Sequence, residues 1–174
     1  TYDEGFICKG THRVILNGVG PQKVSMASAR SYFNELEIKN PDITFSGFLG
    51  VTKFVGDGKA NSDNVILKKI GLNGGQLELN GNVEINDDID LQKGVLRIIG
   101  DVLHSDGTLT FNEGKVTVSG DYQMQRKEKD SAGDVIYEAS YGNLVMQYDD
   151  DLLEVGGTFI NDPWWTPLNT LSAG

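Results

Sequence analysis

The chain has 174 residues, 22 of them Gly and only 4 Pro, with a formal net charge of −10 and a single cysteine, Cys8. That charge argues against a nucleic-acid binder, which must concentrate Lys and Arg against phosphate, and one Cys excludes an internal disulfide framework. No apolar run approaches the roughly 18 residues of a membrane-spanning helix, so membrane insertion is not expected.

Two short strands open the chain, at residues 6–8 and 13–16, the second stopped by the turn pair Asn17-Gly18. Val24 and Met26 alternate with polar neighbours in a third strand. Residues 28–33 are the only stretch with room for a helical turn, too short to stand alone. Strands follow at 36–38, 43–45 and 51–55. Residues 56–64, Gly-Asp-Gly-Lys-Ala-Asn-Ser-Asp-Asn, are expected to form an ordered polar surface loop.

From Val65 the rhythm tightens. Apolar pairs spaced by one residue recur as Leu77/Leu79, Val83/Ile85, Ile89/Leu91, Leu96/Ile98, Leu109/Phe111 and Val116/Val118, divided by Gly- and Asp-containing corners. Such period-2 segments are strands that bury one face. A longer phrase also repeats: aliphatic, any residue, Gly, a small polar residue, apolar. It occurs with its glycine at Gly81, Gly100, Gly120 and Gly157, in steps of 19, 20 and 37. A fixed period near 20 marks a stack of coils. The last step is close to two such turns, and its extra length falls at residues 123–142. There, alternating segments on either side of Asp130-Ser131-Ala132-Gly133-Asp134 read as a β-hairpin arm. The expected fold is therefore all-β: a right-handed parallel β-helix (β-solenoid) with coils of about 19–20 residues and a protruding arm near 123–142. We read residues 1–174 as one unit. Coils are less regular over 1–64 and regular over 65–160, and an aromatic tail at 161–174 caps the stack or links it to the next unit.

The residues at 10–18, 31–38, 72–77, 118–122 and 144–146 resemble a repeat family of very large secreted or surface proteins of Gram-positive bacteria, similar in style to filamentous-haemagglutinin solenoids. In that family the unit recurs many times, and the closing Leu171-Ser172-Ala173-Gly174 resembles the start of a further coil. The resemblance implies an extracellular, cell-surface location and an adhesin-like or fibre-forming role. It supplies no catalytic motif, and the 123–142 arm is longer than the family's usual turn.

Candidate chemistry is sparse. The small polar position of the phrase holds Asn82, Asp101, Asp121 and Thr158. One coil apart, Asp101 and Asp121 repel unless a cation or a shared proton intervenes, which makes them Ca²⁺ candidates. The ordinary reading is a solvated corner whose Asp side chains bond turn amides. Asp149, Asp150 and Asp151 are a second acidic cluster, again either Ca²⁺ ligands or a solvated loop. Ser105, His104 and Asp106 cannot form a local triad, because strand neighbours point to opposite faces. Trp164 and Trp165, with Tyr137 and Tyr141 of the arm, are the aromatic candidates for stacking on sugar rings. Trp164 and Trp165 are equally suited to covering a solenoid end or packing on a neighbouring unit. No catalytic residue and no cofactor are expected.

The expected function is a non-enzymatic extracellular structural module: a fibre segment or adhesin-like surface element that stacks with copies of itself or with adjacent repeats. The alternatives are a carbohydrate-binding module using Trp164 and Trp165, and an intracellular polymerising solenoid in the manner of a bactofilin.

Overall fold

A computed structural model describes residues 5–8, 10–162 and 164. Among the described residues there are seventeen strands and no helix, wound as a β-solenoid of about 6 turns. Nearly all pairing is parallel, because each strand lies beside its equivalent in the next coil rather than beside its neighbour in sequence.

Each coil has three sides. The first holds Gln76–Asn80, Val95–Ile99, Lys115–Val118 and Leu152–Val155, which pair in that order. The second passes from Val65 to Val83, Val102, Tyr122 and Phe159 in successive register partners. The third is the most continuous: Phe33, Val51, Ile70, Ile89, Leu109 and Leu144 pair one to the next. All six are buried. Alternate strand residues point to opposite faces, so one residue in two enters the interior and meets its equivalent a coil away. Burying a side chain of this size contributes about 1.5–3 kcal/mol, and the columns together form one core.

The corner between the third and first sides explains three of the glycine-rich breaks. Leu72–Gly75, Leu91–Gly94 and Phe111–Gly114 each close with an N–H of the fourth residue donating to the carbonyl of the first, at 2.9, 2.8 and 2.9 Å. Both central residues have positive φ in all three: Asn73 and Gly74, Gln92 and Lys93, Asn112 and Glu113. These are type I′ turns, whose twist suits strand-to-strand reversals. Here they stack one per coil.

Expectations from the sequence are corrected at two stretches of the N-terminal half. Residues 28–31 form a tight turn, with Ser31 N–H donating to the Ser28 carbonyl (3.0 Å), and the chain enters the strand Phe33–Ile38 with no helical turn. The stretch 56–64 is not a loop. The strand Asp57–Gly71 runs through it, and Asp57, Gly58, Lys59, Ala60 and Asn61 pair with residues 76–80 in register. Its inward positions are small because large neighbours already fill that part of the core. A Cβ on Gly58 would stand 2.7 Å from the Phe54 ring and 2.9 Å from Ile38 Cβ.

The step of 37 between the last two glycines of the repeated phrase is one coil, not two, since Val118 pairs directly with Val155. The extra chain is the expected arm. Tyr122–Lys129 runs past the second side and returns antiparallel as Val135–Ala139. Asp130 organises its tip, accepting the N–H groups of Ala132 and Asp134 at 2.9 Å each.

Candidate functional site

The small polar position of the repeated phrase forms a ladder. Asn82 Oδ1 accepts the N–H of Asp101 (2.8 Å), Asp101 Oδ1 accepts the N–H of Asp121 (3.0 Å), and Asp121 Oδ1 accepts the N–H of Thr158 (2.7 Å). Each side chain thus caps the backbone of the coil above it. This explains the glycine that precedes the position: a Cβ on Gly120 would lie 2.1 Å from Asp101 Oδ1, and one on Gly157 2.3 Å from Asp121 Oδ1. A carboxylate accepting backbone N–H groups is stabilised without a metal. Among the described residues, no three His, Cys, Asp or Glu side chains converge as a metal site would require.

The acidic triplet divides. Asp151 accepts the N–H groups of Glu113 (2.7 Å), Gln147 (2.6 Å) and Tyr148 (2.9 Å), clamping its own turn to the coil below. Asp149 and Asp150 are exposed.

The aromatic candidates also separate. Tyr141 and Trp164 meet at a centroid distance of 6.1 Å. The Arg126 guanidinium lies 4.7 Å from the Tyr141 ring centre and 5.9 Å from that of Trp164. Arg126 is further held by Glu128 (2.8 Å) and by Glu138 across the hairpin. Trp164 is 57% exposed, so it does not cover the core; its N–H donates to the Ser140 carbonyl (2.8 Å). Trp165 lies outside the described residues.

Tyr137 is elsewhere, on the opposite face of the arm and directly across from Lys127. Together they overhang the outer surface of the second side. The groove beneath has a volume of roughly 210 Å³ and runs from Gln123 and Leu103 to the corner residues Asn64, Asn82 and Asp101. Leu103 marks the effect on the solenoid. Its register partners Glu84 and Gln123 are half-buried, as outward positions should be, whereas Leu103 is only 8% exposed. The strand Val102–Asp106 is accordingly buried at four consecutive positions.

Sequence reasoning missed the role of His104. It occupies an inward position, stacked on Ile85, and is fully buried. A carbonyl can only accept, so Nε2–H donates to the Gly107 carbonyl (3.1 Å) and Nδ1 accepts from the Tyr122 hydroxyl (2.9 Å). Burial holds the imidazole down to about 4, against smaller opposing effects of the Gly107 carbonyl and of Asp106. Burial likewise pushes the Tyr122 phenol well above its ordinary value. Ser105 points the other way and donates to Glu84 Oε1 (2.7 Å), so no triad forms from these neighbours.

No protein family model, curated protein or solved structure matches the chain.

Proposed function

We propose that the chain is a non-enzymatic structural module whose end coils continue into neighbouring coils, from another copy or from adjacent repeats. The observation that carries this reading is the state of the two ends. Among the described residues, Arg13–Leu16 and Gln22–Met26 at one end are paired on one side only. So are Asn143–Val145, Leu152–Val155 and Phe159–Asn161 at the other. Their inward residues Val14, Leu16, Val24, Leu153 and Val155 are only partly buried, unlike the sealed columns between them. Unpaired strand edges over apolar rows are templates for a further strand. A rigid rod that transmits position rather than chemistry suits a fibre segment or adhesin-like element outside a bacterial cell.

Negative-stain electron microscopy of the purified chain tests the proposal. Filaments or end-joined rods of coil width are expected, and strictly single short particles at every concentration would reject stacking between copies.

A further inference from the structure

We infer that the groove under the arm binds a neutral sugar ring, a pyranose unit of a glycan. This stands independently of whether the ends stack. The groove is small, roughly 210 Å³, below the range of about 300–1,000 Å³ typical of drug-sized ligands, and so fits one ring rather than a long chain. Its roof supplies the Tyr137 ring, half-exposed and without an aromatic partner among the described residues. Tyr offers an apolar face to the C–H side of a sugar and a polar tip to its hydroxyls.

The polar groups beneath are available. Asn82 and Asp101 each commit one side-chain oxygen to the ladder, leaving the Asn82 amide N–H groups and the second Asp101 oxygen. Gln123 and Lys127 make no side-chain hydrogen bond or ion pair to any described residue. Amide, carboxylate and ammonium groups arrayed around one cavity match vicinal hydroxyls, each of which both donates and accepts. Charge narrows the class. Glu84 and Asp101 against Lys127 leave the lining with one net negative charge, which disfavours phosphates and uronates. A divalent cation is disfavoured by the ammonium and by the lack of six to eight converging oxygens. The arm itself explains the geometry. Its register places Lys127 beside Tyr137 on the groove face, while Arg126 and Glu138 pair on the other.

The test is saturation-transfer NMR on the whole chain with methyl glucoside, methyl galactoside and methyl N-acetylglucosaminide, each beside methyl glucuronide. Weak binding of at least one neutral glycoside, stronger than that of the glucuronide, is expected. Tyr137→Ala, Gln123→Ala and Lys127→Ala should each weaken it, Tyr137→Ala by about tenfold. Trp164→Ala should leave it unchanged. These side chains are outside the core, so an unchanged amide proton spectrum shows each variant folded. No transfer to any neutral glycoside, preference for the glucuronide, or binding that survives Tyr137→Ala or falls with Trp164→Ala would overturn the assignment.

Discussion

Single residues carry sharply different weights in this chain, and two of them can be measured directly. His104 is neutral in its buried site, held down to about 4 by desolvation, whereas the unfolded chain binds its proton near 6.5. Its contribution is therefore complete above pH 6.5 and is lost as pH falls towards 4, a change of about 3 kcal/mol. Urea unfolding at pH 7 and pH 4.5 should show this loss, and a His104→Leu variant should show a shallower pH slope by about that amount. Asp151 is the second case. It accepts three backbone N–H groups, and hydrogen bonds to a charged group are worth about 1.5–3 kcal/mol. Asp151→Ala should cost about 2–3 kcal/mol, while Asp149→Ala and Asp150→Ala should stay within about 0.5 kcal/mol. Adding Ca²⁺ should leave the Tm of the native chain unchanged, since Asp101, Asp121 and Asp151 already accept backbone N–H groups and, among the described residues, no three acidic side chains converge on one point. An upward shift on Ca²⁺ addition would contradict that account.

At the scale of elements, the alternating apolar pairs made the regular strands legible, because period-2 burial leaves its mark in the residues themselves. Leu77/Leu79 and Leu96/Ile98 are inward pairs in neighbouring coils, as their spacing predicts. The first half of the strand Asp57–Gly71, residues 57–64, was illegible for a physical reason. Gly58 faces a core already filled by Phe54 and Ile38, and the other buried residue of 56–64 is the small Ala60, so the local pattern looks like a polar loop. The arm was legible from its turn residues and alternation, but its fold-back over Leu103 was not, since nothing local encodes which surface a hairpin covers. The arm is an addition to the solenoid, not a support of it. Replacing residues 125–139 with a short Gly-containing link should preserve a β-type circular dichroism spectrum and cooperative unfolding. The cost should be about 1–3 kcal/mol, mostly from uncovering Leu103. Collapse of the whole fold would show that the arm is integral.

For the whole molecule, the repeated glycine phrase announced stacking but not the site beneath the arm. The groove joins residues as far apart as Asn64 and Tyr137, which only the coil geometry brings together. The same long-range logic governs the ends. If Val155, in the half-buried row of the last coil, forms the seam with another unit, Val155→Lys should abolish the rods expected by electron microscopy without unfolding the chain. The reason is that an unpaired charge would be buried only on assembly. The ladder through Asn82, Asp101, Asp121 and Thr158 adds a sense of direction. At every rung the oxygen belongs to the earlier coil and the N–H to the later one. An assembly continued through these edges is therefore head-to-tail, a heterologous contact with no two-fold symmetry to close it. Its two tips would be chemically unlike, one presenting Arg13–Leu16 and Gln22–Met26 and the other Asn143–Val145, Leu152–Val155 and Phe159–Asn161. Such a fibre would lengthen at unequal rates at its two tips, and a partner recognising one tip would leave the other free to grow.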